Sequence, residues 1–428
     1  MSMSRKRNLT RRVALVAYDR ADYRAGPIVN ARRLLPSLAR AGCEPVGLIF
    51  HDGTGAPNAE AIRAAGVRCV VQRRWRYTEE GVVRLIELIN ELEPDVFVAN
   101  ISVAGWFAGW WSRAAGVPTV AGHLSNDAFH AAMVQRFIVG GEPWGVSGVF
   151  FMSEYSRDAV LDSALPRTRG VVIPHGVPMP TSRAAGLGPP IRVAYLGRLQ
   201  REQKRLDRVG AAMVSLLQHD PTAEARVAGT GPEERWLRAS AERAGVADRL
   251  HLLGAVEPER LGEALDGVAT VLLLSDYEGM PGALMDAMAH GVVPICTDFA
   301  GVRELVRDGD NGFIVDGSPA SVVAAVERLR ADAERFESMS RAARATVEAG
   351  YSLEEATRRW VSFCEALVAD AGPKRLPIPV PSLKEVAVVL PPVLPGHRRE
   401  DVRRGSWSML LVRKAARLTR RTWRAVRG

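Results

Sequence analysis

What most constrains this chain is an alternation that occurs twice along it. Short apolar runs at residues 13–18, 44–50, 67–71, 96–99, 117–121, 149–152 and 171–173 are interleaved with helical patterns at 28–41, 59–65 and 81–92. Runs of this kind, uniformly apolar and separated by amphipathic stretches, predict parallel strands covered by helices on both faces. Residues 174–190, rich in Pro and Gly, then break the pattern as an inter-domain connection. A second series follows, with strands expected at 191–196, 225–228, 250–253, 270–274 and 293–296, and helices at 206–218, 233–244, 259–265, 283–289 and 302–307. The expectation is an α/β chain of two doubly wound domains, 12–175 and 176–352, with a cleft between them. Helices at 319–329 and 331–349 close the second. A further helix at 353–371 is expected to cross back to the first, and the proline-rich stretch 372–397 reads as a semi-rigid spacer poorly suited to a core.

Charge narrows the function. The chain of 428 residues has a formal net charge of +9, and residues 398–428 alone carry eleven Arg and Lys against Glu400 and Asp401. The body is therefore near neutral, which argues against a nucleic-acid-binding domain, since such a domain needs its own basic stripe. On a helical wheel the tail separates Trp407, Leu411, Leu418 and Trp423 from Arg413, Lys414, Arg417, Arg420, Arg421, Arg424 and Arg427. It is expected to form a basic amphipathic helix lying on an anionic membrane surface, a disordered solubilising tail being the plainer reading. Cys43, Cys69, Cys296 and Cys364 have no metal-ligand or CxxC spacing, and no long apolar run suggests export. A cytoplasmic chain with reduced thiols is expected.

One corner stands out within the second series. Residues 275–286, Ser-Asp-Tyr-Glu-Gly-Met-Pro-Gly-Ala-Leu-Met-Asp, join an apolar run to a helix. Such strand-to-helix corners lie at the carboxyl ends of parallel strands, where a helix N-terminus offers free N–H groups to an anion. Glu278 on the loop and Asp286 on the helix can both reach one ligand. Gly279, Met280, Pro281 and Gly282 between them allow close backbone approach.

Further short matches share this order: Leu196-Gly197-Arg198-Leu199 with Lys204, Gly229-Thr230-Gly231-Pro232, Thr297-Asp298 with Gly301 and Glu304, Asn311-Gly312, residues 173–177 (Ile-Pro-His-Gly-Val) and Ser153-Glu154. Together with the corner they resemble the E-x7-E pattern of the retaining family-four glycosyltransferases, over residues 13–369. The resemblance implies the GT-B fold, two facing Rossmann-like domains, and transfer of a sugar from a nucleotide-sugar donor to a glycan or lipid-linked acceptor. It implies that Glu278 bonds the donor sugar's hydroxyls and that Arg198 and Lys204 clamp the diphosphate. Gly197, Gly229 and Gly231 would lie beside the donor. Asp286 would meet the ribose where the family has a longer Glu. His123, which a packing role would explain equally well, matches the family's histidine near the reacting sugar. Gly26 resembles its phosphate-side glycine loop, although that loop reads Ala25-Gly26-Pro27 here. No metal is expected, because Arg198 and Lys204 supply the positive charge and no Asp-x-Asp sits at a strand end. A nucleotide-sugar epimerase of the same fold and a non-catalytic sugar-nucleotide-binding scaffold are the alternatives.

Overall fold

A computed structural model describes residues 11–20, 26–125, 128–139, 145–161 and 168–390. It divides into two compact units, one built from Met1–Met152, Ser156–Ile173 and Thr357–Gly428 and the other from Ser153–Tyr155 and Pro174–Ala356. The basic tail expected at 398–428 lies outside the described residues.

Among the described residues the first unit holds seven strands: β1 (Arg12–Asp19), β2 (Glu44–His51), β3 (Arg68–Arg73), β4 (Val96–Asn100), β5 (Thr119–His123), β6 (Gly148–Phe151) and β7 (Arg169–Val172). They form one sheet in the order β3-β2-β1-β4-β5-β6-β7, with parallel pairing throughout. The order reverses between β1 and β4, the place where doubly wound sheets open a crevice at their carboxyl ends. Helix Thr78–Leu92 covers one face by burying Leu85, Ile86, Ile89 and Leu92, each stabilising by roughly 1.5–3 kcal/mol. Its start is fixed by Glu80, whose carboxylate accepts from the N–H groups of Arg76 and Tyr77 at 2.9 and 3.2 Å. Trp106, on helix Val103–Ala114, is a core residue whose indole donates to the Asn100 carbonyl at 2.6 Å.

The expected spacer is corrected in part. Ile378, Val386 and Leu390 are buried in the first unit's core, and helix Leu383–Val389 packs against helix Thr78–Leu92. The Asn90 side chain pairs with the Ile378 backbone in both directions, at 2.7 and 2.8 Å. The prolines stiffen the segment, yet its scattered apolar side chains have a helix face to bury against.

The second unit holds β8 (Arg192–Leu196), β9 (Glu224–Ala228), β10 (Leu250–Gly254), β11 (Val268–Leu273), β12 (Val293–Thr297) and β13 (Phe313–Val315), in the order β10-β9-β8-β11-β12-β13. All pairs are parallel. Every residue of β11 and β12 is buried, which is why both read as continuous apolar runs. Two expected helices are shorter than their patterns. Residues 259–265 give a tight turn, Pro258–Arg260, and a single helical turn, Leu261–Ala264. Residues 302–307 give only Val302–Glu304. Asn311 ends that element: its side-chain oxygen takes the Arg307 N–H at 2.7 Å and its amide donates to the Leu305 carbonyl at 3.0 Å.

Candidate functional site

The second sheet reverses between β8 and β11. The two loops singled out in the sequence, 197–204 and 275–282, leave the carboxyl ends of these two strands. Both therefore open where such sheets bind ligands.

The loops after β8 and β9 run with their backbones in contact. A side chain at Gly229 would place its Cβ 1.8 Å from the Gly197 oxygen, and one at Gly231 would lie 2.3 Å from the Leu199 oxygen. Both positions therefore require glycine. Leu199 donates its N–H to the Thr230 carbonyl at 3.0 Å, which locks the pair of loops. Beneath them Tyr195 is fully buried and donates its hydroxyl to the Arg198 carbonyl at 2.8 Å. Burial, and then the nearby Glu278 carboxylate, push the Tyr195 hydroxyl well above the usual phenol range. It stays protonated and holds the backbone of Arg198, whose side chain is exposed.

Glu278 is 6% exposed and closely held. Its Oε1 accepts from Lys204 Nζ at 2.6 Å and from Ser275 Oγ at 2.7 Å. Oε2 has one longer contact, with Gln203 Nε2 at 3.4 Å. Lys204 is nearly as buried, with 13% of its side chain exposed. One ammonium proton is taken by Glu278, and two others remain to donate. Ser275 is anchored in turn, its carbonyl accepting from Thr297 Oγ1 on β12 at 2.6 Å. The result is one carboxylate oxygen fixed by a charge and a hydroxyl, with its twin held only by the longer amide contact.

Gln203 is a member of this group that the sequence reading did not name. Its backbone is left-handed, with φ 63°. Its side-chain oxygen accepts from Arg198 at 3.2 Å while its nitrogen donates to the Tyr277 carbonyl at 3.2 Å and to Glu278. The Gln203 carbonyl also accepts the Asp276 N–H at 2.9 Å. The two loops are joined again by Asp276, which pairs with Arg205 and Arg208 at 3.0 and 2.9 Å. Ser275 was visible as the start of the corner, but not as a ligand of Glu278. A polar side chain next to Lys204 was the one available hint for Gln203.

Helix Gly282–Ala289 begins at Pro281 with no side-chain cap. Leu284 and Met285 donate their N–H groups to the Pro281 carbonyl at 2.9 and 3.1 Å, while those of Gly282 and Ala283 have no acceptor among the described residues and lie at the positive end of the helix dipole. Nothing lies within 4 Å of where a Gly282 side chain would start. That glycine is not demanded by packing and leaves the approach open. Gly279 is half-buried, Met280 buried, and Asp286 half-buried on the second turn of the helix.

In the first unit, His123 ends β5 and is 4% exposed. Its ring lies 5.6 Å from that of His130 and 5.5 Å from that of Phe151, its neighbour across the sheet. Gly26 is the exposed first residue of helix Gly26–Arg40, and the loop before it lies outside the described residues.

Two doubly wound, all-parallel α/β units, each with a switch point at the carboxyl ends of its strands, are the architecture of the GT-B class. Two family models divide the chain in the same way: "Glycosyltransferase Family 4" matches residues 29–179, and "Glycosyl transferases group 1" matches residues 183–346. The chain belongs to the family-four glycosyltransferases. It is 30% identical over 188 residues to WcaL of Salmonella typhimurium, named for colanic acid biosynthesis as a glycosyltransferase, covering 42% of this chain and 46% of the relative. It is 29% identical over 239 residues to the GDP-mannose-dependent alpha-(1-6)-phosphatidylinositol monomannoside mannosyltransferase of Mycobacterium tuberculosis, covering 51% of this chain and 62% of the relative. The chain thus spans about half the length of these curated relatives. Anabaena HepE in complex with UDP and glucose has the same fold, with TM-score 0.65 and 14% identity over 83% of this chain and 100% of its own.

Proposed function

We propose that this protein transfers a sugar from a nucleotide-sugar donor to a hydroxyl of a glycan or lipid-linked glycan, with retention of anomeric configuration. The observation that carries the reading is Glu278, fixed through Oε1 by Lys204 and Ser275 at the β11 end, with exposed Arg198 at the β8 end. As the bond from the anomeric carbon to the donor phosphate breaks, its electron pair moves to the phosphate oxygen. Negative charge grows there. Arg198, with a planar fork of donors, and the remaining ammonium protons of Lys204 meet that charge, and the free N–H groups around Gly282 add to them. A donor that fixed cations already neutralise needs no metal in this reading. Glu278 Oε2 accepts from a donor-sugar hydroxyl, so the sugar is oriented by the same carboxylate that positions the phosphate clamp. The acceptor oxygen bonds to the anomeric carbon on the face the phosphate leaves, and its proton passes to the departing phosphate. Asp286 meets the ribose and His123 the reacting sugar.

Support for the donor class comes from relatives: the mycobacterial enzyme is named as GDP-mannose-dependent, and the HepE structure holds UDP and glucose. Among the described residues no helix is long and apolar enough to cross a membrane. Residues 398–428 would instead dock the enzyme on an anionic surface at the cytoplasmic face, with each basic residue contributing on the order of 1 kcal/mol. Flotation with anionic vesicles should fall when they are removed.

The decisive experiment incubates the full chain with a panel of labelled nucleotide sugars. Donor hydrolysis or transfer with retained configuration is expected. An isomerised donor would instead make it an epimerase, and binding without turnover a scaffold.

A further inference from the structure

The carboxyl ends of β1, β2 and β3 lie in register, with Asp19 beside His51 and His51 beside Arg73. They carry a cluster that the reading above leaves unused. Arg73 is exposed, and Arg74 follows it with its N–H donated to the His51 carbonyl at 2.7 Å. The Arg74 guanidinium carbon lies 4.6 Å from the centre of the Tyr18 ring. Tyr18 is itself pinned, its hydroxyl 2.8 Å from Ser102 Oγ, and that bond spans the β1–β4 switch point. Trp75 fixes the segment from the other side. Its ring packs against Phe50 with centroids 4.6 Å apart, and it sits so close on Gly81 that a Cβ there would approach within 2.3 Å.

The nearby acids are engaged elsewhere. Asp19 is buried and accepts from Asn58 Nδ2 and the Ala59 N–H at 2.8 and 3.0 Å. Asp52 takes the Thr54 N–H and hydroxyl and pairs with Arg20 at 3.2 Å. Among the described residues neither Arg73 nor Arg74 has a carboxylate within 4 Å. The Arg74 guanidinium is thus held over a fixed aromatic ring at a ligand-binding end of the sheet, with exposed Arg73 just before it in the chain and, among the described residues, no carboxylate paired with either. A guanidinium lying over a ring still presents its in-plane donors, which match the paired oxygens of a phosphate or carboxylate.

We propose that the acceptor carries an oxyanion, phosphate or carboxylate, and that Arg73 and Arg74 hold it beside Tyr18. The assignment rests on the transferase reading: with Glu278, Lys204, Arg198 and Asp286 of the second unit given to the donor, the acceptor is assigned to the first.

The test measures binding of three probes to the full chain without nucleotide sugar: octyl phosphate, octyl glucuronide and the neutral octyl glucoside. Wild type and Arg198→Ala should both bind at least one anionic probe about tenfold more tightly than the glucoside. Whichever anion wins tells a lipid-borne phosphate from a glycan-borne carboxylate. Arg73→Ala/Arg74→Ala should lose the preference, and Arg74→Lys, which keeps the charge, should recover part of it; thermal melts check that each variant is folded. Equal binding of all three probes would overturn the proposal, as would a preference that survives Arg73→Ala/Arg74→Ala or disappears in Arg198→Ala alone. Absence of donor turnover would sink the transferase reading but leave this binding result readable.

Discussion

Both sheets reverse direction near their middle, between β8 and β11 in one unit and between β1 and β4 in the other, yet the two ends are built from different materials. At the β8–β11 end, backbone is packed on backbone at Gly197 and Gly229, and a buried carboxylate is gripped by an ammonium and a hydroxyl. At the β1–β4 end the fixed parts are rings, Tyr18 and Trp75, and the charges are two arginines without counter-ions among the described residues. The first arrangement holds its buried charges as an internal pair. The second leaves its charges facing out. Diphosphate chemistry is the same for every nucleotide sugar, so an end that meets it gains from rigid dipoles and pre-set charges. An end that meets one particular acceptor needs replaceable side chains on a firm base.

The largest effects should come from the Glu278–Lys204 pair. Glu278→Ala and Arg198→Ala should each lower turnover about a hundredfold or more, measured as kcat on the donor that wild type uses. Wild-type rates from both would dissolve the contrast between the two ends. Lys204→Met leaves a buried carboxylate without its ammonium and should cost up to about 3–5 kcal/mol of stability, read by denaturant titration. Adding Glu278→Gln to that variant should restore most of the stability and none of the activity. Recovery of both would mean the pair is only structural.

His123→Phe probes the opposite unit with a smaller expected effect. The ring sits among His130 and Phe151, so an apolar ring of similar size should pack with little change in melting temperature. A fall in kcat of about tenfold is expected from lost orientation of the reacting sugar. An unchanged rate would assign His123 to the core and leave the first unit with acceptor contacts alone.

How far these ends could be read in the sequence depends on what kind of signal each residue leaves. Parallel strands buried on both faces announce themselves, as the all-buried β4 and β11 do. Glu278 was legible because a glycine-rich loop and a helix start frame it. Gln203 was not, because its part in the site depends on a left-handed backbone at φ 63° and on two loops meeting, neither of which has a period. Arg73 and Arg74 lie just beyond the apolar run 67–71 and leave no signal of their own, since whether a guanidinium has a counter-ion among the described residues is a fact of three dimensions. Residues 373–390 misled by composition. Prolines dominated the reading, while Ile378, Val386 and Leu390 are too widely spaced to show an amphipathic face.

The finest test concerns Asp286, where the family has a glutamate. It lies half-buried one turn into helix Gly282–Ala289, and its carbonyl accepts from the His290 ring nitrogen at 2.9 Å. That backbone contact fixes where the side chain starts, so an aspartate here reaches one methylene less far than the usual residue. Asp286→Glu should bring a carboxylate oxygen into direct contact with the ribose and lower the donor KM by about threefold, or roughly 0.7 kcal/mol, with kcat unchanged. Asp286→Asn should raise KM by a similar factor if the native carboxylate already reaches the ribose through a water. If both variants leave KM where it was, the ribose is held by other groups. The β8–β11 end would then discriminate its donor through Glu278 and the glycine loop, with the charge at 286 serving the helix instead of the ligand.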